Sequence, residues 1–498
     1  MILSKQTISE VAKRDDLEIP GENIFALPEK VLQFGTGGLL RGLGDFYIHH
    51  ANANGKFNGR IVVVKSTGAG DVNNFKLQDN LYTLCVRGIE SGQRKEENII
   101  CTAISRVLTA SEEWKEVLAA AGNPGLKIII SNTTENGLSL VRENVLQTAP
   151  ASFPGKLTAF LFERYKIFDG AASAGMIIIP TELIPGNGKV LESYVLELAH
   201  SNSLPFEFIE WLEKHCRFCN SLVDRIVPGK PSQENKLQIE QKLGYQDELM
   251  LIAEPYNLWV IEGDEQVKDT LSFAEACEGI IICPDLSKYR ELKLRMLNGT
   301  HSIACAIAML TGVKTVKQAM EDDCISAFIK NVMRHEIAVA VTGDLISGNE
   351  VKAFAEKVTD RFSNPYIEHC WETIAANYVT KMQVRLAPVI EGYYHKTGSV
   401  PSLIAMGFAA FFVFASDEKN NEKNLTNTSS VKLRDMLLHA GQNFDNLALV
   451  LSNTDLWQTD LNKIPGLAKE IFKNILDIKS KGMKNALKDL LENMLSEL

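Results

Sequence analysis

Lys293, Asn298 and His301, in the segment KLRMLNGTHS (293–302), are the residues whose types and spacing most invite a chemical reading. They lie in a stretch whose apolar periodicity predicts a helix over 287–310. At about 100° per residue, Asn298 sits about 140° and His301 about 80° around from Lys293, so all three share one side of that helix. Such a trio suits reduction of a ketone. A lysine whose pKa falls through desolvation gives its proton to the carbonyl oxygen and retrieves it in the reverse direction. An asparagine amide steadies the developing alkoxide. A histidine orients the substrate or shares the proton. The same residues also read as a solvated lysine, an asparagine interrupting the helix before Gly299, and a satisfied core imidazole.

Ketone reduction by such a site needs a hydride carrier, and FGTGGLLRG (34–42) supplies a candidate cradle. Gly35 and Gly37 match the first two glycines of G-x-G-x-x-G, directly after a predicted strand and before a predicted helix. The first permits a tight turn, and the second lets backbone approach a pyrophosphate at the positive end of a helix. The third glycine position is Leu40, so closer helix–strand packing is not expected there. A strand that holds the ribose of NAD ends in Asp or Glu. Here it ends Val64-Lys65-Ser66-Thr67, with Asp71 the nearest acid, and both NAD and NADP remain compatible.

These residues need a scaffold. Short Val/Ile-rich runs at Val31–Phe34, Ile61–Lys65, Lys127–Ser131 and Met176–Pro180 read as buried parallel strands, separated by helical patterns such as Ser111–Ala121 and Leu157–Ile167. This alternation predicts an α/β fold with a Rossmann-like doubly wound N-terminal domain. After about Cys283 the pattern becomes helical: Ser287–Leu310, Val316–Met333, Glu350–Arg361, Trp371–Pro388, Ser402–Ala415, Ser430–His439 and Leu467–Leu495. The expected division is a dinucleotide-binding domain over 1–280 and a mostly α-helical substrate and catalytic domain over 281–498.

Composition narrows the function classes. The chain has 498 residues and a formal net charge of −10, which gives no global attraction to nucleic acid or an anionic membrane. A small anion would need a locally basic pocket. The most apolar run, Ile404 to Ala415, is too short for a membrane span. The opening MILSKQTISE lacks a secretory signal pattern, and nine cysteines fit reduced thiols in a cytoplasmic protein. Cys216 and Cys219 form a C-x-x-C with no second close pair to complete a zinc site, and the expectation is structural thiols. His335-Glu336 lacks the second histidine of a metalloprotease motif, so no metal is expected. His49-His50 is expected to have no chemical role.

The combination of K-x-x-x-x-N-x-x-H, the Gly35/Gly37/Arg41 loop and VDRIVP (223–228) resembles the mannitol dehydrogenase family of metal-independent long-chain polyol dehydrogenases. SNTTENG (131–137), ELIPGNG (182–188) and RFSNPYIEH (361–369) extend the likeness over nearly the whole chain. The resemblance implies Lys293 as general acid/base, assisted by Asn298 and His301. It implies a nucleotide held by Leu32, Gln33, Phe34, Gly35 and Thr36, by Gly37, Gly38, Leu39, Leu40 and Arg41, and by Asn132, Thr134 and Glu135. Asn187 and Asp224 match positions near the substrate, and Lys381 matches the lysine of R-I-A-x-D-G-x-x-K. The arginine of that pattern is Thr373 here and its Asp-Gly pair is Asn377-Tyr378, a departure that suits a sugar acid whose carboxylate meets Lys381, Arg385 or Arg361. A neutral polyol is the alternative within the family. A module that only senses NAD(H) is the alternative from another class, and a sensor would need no Lys293/Asn298/His301 set.

Overall fold

A computed structural model describes residues 1–66, 72–133, 137–417 and 431–497. The chain divides into two compact units, one of residues 1–88 and 94–286, the other of 89–93 and 287–498.

The first unit is organised by six parallel strands: Glu29–Phe34, Arg60–Lys65, Ile104–Thr109, Ile128–Ser131, Ile177–Pro180 and Arg217–Phe218. Counted by sequence, they lie in the spatial order 3-2-1-4-5-6, the arrangement of dinucleotide-binding sheets. Alternation explains why the runs are apolar throughout. Val31, Ile61, Val63, Ile128 and Ile130 enter the core on one face, while Leu32, Phe34, Val62, Val64 and Ile129 enter the core on the other. The order reverses between Glu29–Phe34 and Ile128–Ser131, and the crevice beyond their carboxyl ends is where such sheets bind ligands. Gly35 and Asn132 follow those two strands, joined by an Asn132 N–H to Phe34 carbonyl bond of 3.2 Å.

Two smaller sheets complete the unit. One contains Ser221–Asp224, Leu258–Glu262 and Ile280–Cys283; the other contains Leu17–Glu18, Gln93–Cys101, Tyr82–Glu90 and Leu251–Ala253. Several of these strands carry half-exposed or polar faces, as in QRKEENIIC, and their patterns are weaker than those of the central sheet. Of the predicted helices, 111–121 contracts to Trp114–Ala119 plus a short 3-10 turn. The other begins earlier, at Phe153, because Ser152 caps it by accepting the Gly155 N–H and Pro154 suits the first turn.

The second unit is helical, with more breaks than periodicity predicts. The stretch 287–310 is helical throughout but not α-helical throughout: a π-helical segment, Leu292–Gly299, lies between Ser287–Glu291 and Thr300–Leu310. The stretch 316–333 divides at Asp322, whose side chain accepts the N–H groups of Cys324 and Ile325 and starts a new helix. Trp371–Ile374 is separated from Tyr378–Thr397 by Asn377 in the left-handed region (φ 54°), and Pro388 lies inside the longer helix instead of ending it. Gly482, at φ 80°, divides Leu467–Lys481 from Met483–Glu497. Ser402–Ala415 forms a buried core helix as expected. No helix of the described residues is long and apolar enough to cross a membrane.

Candidate functional site

The nucleotide half of the predicted chemistry falls in the first unit. Gly35 adopts φ 123°, a conformation that favours glycine, and its N–H bonds the Val64 carbonyl at 3.0 Å. A Cβ there would lie 3.0 Å from both the Asn132 carbonyl oxygen and Leu40 Cδ1. Gly37 is different: a Cβ built on it meets nothing within 4 Å, so open space lies against the loop where backbone approach to a dinucleotide is required. Helix Gly38–Gly42 starts there, breaks at Leu43 and resumes as Gly44–Ala53. Gly42 approaches Val227 so closely that a Cβ would come within 2.8 Å of Cγ2; close packing therefore falls two residues after Leu40.

The other predicted nucleotide contacts divide by role. Leu32, Phe34 and Leu40 are core residues, with Leu39 packed against that core, and Gln33 turns inward to donate to the Gly35 carbonyl at 3.2 Å. Thr36 stays on the loop and Gly38 opens the helix Gly38–Gly42. Arg41 is buried: Nε donates to the Thr36 carbonyl (3.2 Å), Nη1 to the Leu249 carbonyl (2.6 Å), and the guanidinium lies over the rings of Phe75 and Tyr82. These bonds to backbone carbonyls brace the loop from within. Asn132 donates to Thr181 Oγ1 at 3.0 Å. Thr134 and Glu135 lie outside the described residues.

Sequence reasoning gave no role to Glu182. Its buried carboxylate accepts the Thr133 N–H at 2.9 Å, the Thr133 hydroxyl at 3.1 Å and the Ser131 hydroxyl at 3.2 Å, tying together the ends of two central strands. Asn187 extends this rim. Its amide donates to the carbonyls of Pro180, Glu182 and Ser221, and its oxygen accepts the N–H groups of Gly188 and Ser221. All these hydrogen bonds are made to backbone, so Asn187 clamps the strand ends together. Asp224 is buried at the end of Ser221–Asp224.

The proton-transfer half falls in the second unit. Lys293 and Asn298 both lie in the π-helical segment. In a π-helix the hydrogen-bonding step is i to i+5, so residues five apart stack along the axis. This corrects the 140° separation expected of an α-helix and brings the two side chains toward one line. Below them, the hydroxyls of Thr300 and Ser302 donate to the carbonyls of Met296 and Asn298 at 2.6 and 3.0 Å.

His301 is buried. Its ring stacks on Phe362 at 4.0 Å between centroids and meets His369 edge-on at 4.9 Å, and Nε2 has no hydrogen-bond partner. Burial first, then the charges of His369, Arg361, Arg385 and Lys381, hold its pKa well below the ordinary histidine value. Three of these neighbours, Lys381, Arg385 and Arg361, are the cations expected at a carboxylate. Lys381 and Arg385 are four residues apart on one helix, hence neighbours on its surface. Lys381 Nζ donates to the Ile374 carbonyl (2.8 Å), and Arg385 Nη1 to the Asn298 carbonyl (3.2 Å) and the Ser302 hydroxyl (3.0 Å). Desolvation lowers both pKa values, that of Arg385 to about 10, and Arg385 further lowers that of Lys381. The sequence reading quoted the motif containing His369 and Phe362 without assigning either a role. Only tertiary packing brings 301, 361–369 and 381–385 together.

Other sequence features are structural. Cys216 and Cys219 are buried thiols pushed up to about 12 by desolvation, unsuited to thiolate chemistry at neutral pH. His49 is buried between the Thr102 hydroxyl and Glu18. A cavity of about 630 Å³ lined by residues of 334–342 and 348–356 with Lys396 holds none of the predicted site residues.

Comparison with known proteins gives a consistent family assignment. Residues 29–275 match the mannitol dehydrogenase Rossmann domain, and residues 285–479 match the mannitol dehydrogenase C-terminal domain. The altronate oxidoreductase of Halalkalibacterium halodurans is 38% identical over 488 residues, covering 94% of each chain. That of Bacillus subtilis is 37% identical, covering 92% of this chain and 95% of its own. That of Escherichia coli K12 is 34% identical, covering 93% and 97%. Among solved structures, a substrate-free D-sorbitol dehydrogenase superposes with a TM-score of 0.80 at 23% identity, covering 98% of this chain and 100% of its own. A Pseudomonas fluorescens mannitol 2-dehydrogenase, solved with NAD and D-mannitol, superposes with a TM-score of 0.67 at 20% identity over 99% and 100%. These two share the fold. With both domains matched, and relatives above 30% identical along nearly its whole length, the chain belongs to the mannitol dehydrogenase family.

Proposed function

We propose that the protein is an NAD-dependent oxidoreductase that interconverts D-tagaturonate and D-altronate, with Lys293 as general acid and base. The observation that carries the substrate class is the pair Lys381 and Arg385. Both are partly desolvated beside His301, and neither has an ion pair among the described residues. A neutral polyol offers no charge to set against them, whereas a carboxylate does, through charge-assisted hydrogen bonds. The altronate oxidoreductases at 34–38% identity carry a sugar acid in their name, which supports the same reading.

The open space against Gly37 and the positive φ of Gly35 fit a dinucleotide, which Gly35, Thr36, Gly37, Gly38 and Asn132 would hold. When bound, the nicotinamide supplies the hydride, so that keto acid, NADH and one proton give hydroxy acid and NAD⁺. Lys293 Nζ gives the keto oxygen its proton, and takes the hydroxyl proton in the reverse direction. The Asn298 amide donates to the same oxygen as charge develops on it. His301, kept uncharged by its surroundings, leaves proton transfer to Lys293 and packs against Phe362 and His369.

The test is absorbance in the nicotinamide band with purified protein, offering tagaturonate, fructuronate and fructose, each with NADH and NADPH. Rapid oxidation of NADH with tagaturonate is expected. Preference for fructuronate or fructose would move the activity to a sister reaction. No turnover despite NADH binding would overturn the proposal in favour of a sensor.

A further inference from the structure

His369 is a basic neighbour of His301 for which the reaction above has no use. Its backbone is fixed: the carbonyl accepts the Val316 N–H at 2.9 Å, and Cys370 beside it forms a bridge with Thr315. Its ring is half-buried, 4.9 Å from His301 and at 76° to it, and neither ring nitrogen makes a hydrogen bond among the described residues. The nitrogens of His369 are not sealed off, unlike His301 Nε2. An oriented imidazole with unused nitrogens, against His301 and within the fields of Arg361 and Lys381, is arranged for an anionic ligand.

We infer that His369 is a specificity-determining residue of this site, donating a ring N–H to the carboxylate of the sugar acid beside Lys381 and Arg385. The inference rests on the proposed function and deepens it. A histidine suits the position for a physical reason. The groups around it are His301 from Thr300–Leu310, Arg361 from Gly348–Phe362 and Lys381 from Tyr378–Thr397, with Arg385 four residues further along that last helix. A fourth permanent cation beside Arg361, Lys381 and Arg385 would raise their mutual repulsion whenever the site is empty. His369 instead stays neutral without ligand, because burial, Arg361 and Lys381 lower its pKa. An arriving carboxylate favours the protonated ring, so its strongest hydrogen bond forms only with an acid. A neutral sugar receives no such contribution, and discrimination follows from the difference.

The experiment compares wild type, His369→Asn, His369→Gln and His369→Lys on tagaturonate and on D-tagatose, which has CH₂OH where the acid has its carboxylate. NADH affinity, read by fluorescence, is measured in parallel. Losing a hydrogen bond to a charged group should raise the KM for tagaturonate about tenfold or more in H369N, with kcat within about threefold and NADH affinity unchanged. Kinetics with tagatose should not change, and H369K should recover most of the KM. H369Q gives the same reading if H369N fails to fold. A fall in kcat at constant KM would mean that His369 acts through His301, and would overturn the inference. Equal losses on both sugars, or no change on either, would also overturn it. If the wild-type protein does not turn over tagaturonate, the proposed function itself fails. If it does and the KM of the variants stays put, only the role of His369 fails.

Discussion

The region beneath the glycine loop and the cluster around His301 differ in the buried group that desolvation most affects: the acid Asp45 in the first, the base His301 in the second. Beneath the glycine loop of the first unit, Asp45 is fully buried and neither carboxylate oxygen has a well-formed hydrogen bond; desolvation pushes its pKa up to about 7 against the pull of Arg41 and Gln33. In the second unit the same desolvation acts on bases, lowering His301, His369, Lys381 and Arg385. The proposed nucleotide site of the first unit is backbone, made of glycines and strand ends, with Arg41, Glu182 and Asn187 hydrogen-bonded to backbone around it. The second presents side chains. A backbone site tolerates changes of side chain so long as the chain path survives, whereas a side-chain site depends on each functional group.

The sharpest test separates the two outright. Lys293→Ala should lower turnover by ~10²- to 10⁴-fold, the usual contribution of positioned proton transfer, while NADH binding by fluorescence titration stays at the wild-type value. Unchanged turnover would remove Lys293 from the mechanism.

Arg385→Ala should raise the KM for the sugar acid ~10- to 100-fold through loss of a charge-assisted contact. It should lower kcat as well, because Arg385 also bonds the Asn298 carbonyl and Ser302. Steady-state kinetics with tagaturonate checks this, and retained affinity would take Arg385 out of the carboxylate site.

Gly37→Ala reverses the pattern. A Cβ at Gly37 meets nothing within 4 Å and its backbone lies in an ordinary region, so the Tm should hold. NADH affinity should fall about tenfold, because the methyl group occupies space needed for close approach of the pyrophosphate. A fall in Tm with intact affinity would show that the glycine serves packing instead.

Asp45→Asn carries the smallest effect. A carboxyl group raised from 3.8 to about 7 keeps its proton in the folded chain between about pH 4 and pH 7, where the unfolded chain has released it. Stability therefore falls as pH rises across that window and levels off above it. The wild-type Tm should drop by a few degrees more than that of the variant between pH 5 and pH 8, as followed by thermal denaturation. Equal slopes would mean that Asp45 titrates normally.

Legibility in the sequence follows the same division. The central strands were readable because a sheet buried on both faces admits only runs such as IVVVK and KIIIS. The strands of 82–101 were not, since half-exposed faces alternate less cleanly. Lys293, Asn298 and His301 stood out because polar residues interrupt an apolar helix pattern. The π-helical segment that realigns the first two did not, because a change of hydrogen-bonding step leaves no periodic trace over eight residues. The backbone hydrogen bonds through which Arg41 and Asn187 brace their surroundings were not legible either, because their partners are distant in the chain.

By itself, the sequence determined the parallel α/β half, the helical half, the glycine loop and the types of residue available for proton transfer and anion binding. These depend on local periodicity, turn chemistry and residue type, which neighbouring residues in the chain suffice to express. Tertiary structure alone decided that His301, Arg361, His369, Lys381 and Arg385 share one charge environment, and that Glu182 and Asn187 lock the strand ends. Residues up to 84 positions apart meet only when helices pack, and the desolvation that sets their protonation exists only once packing has removed the water.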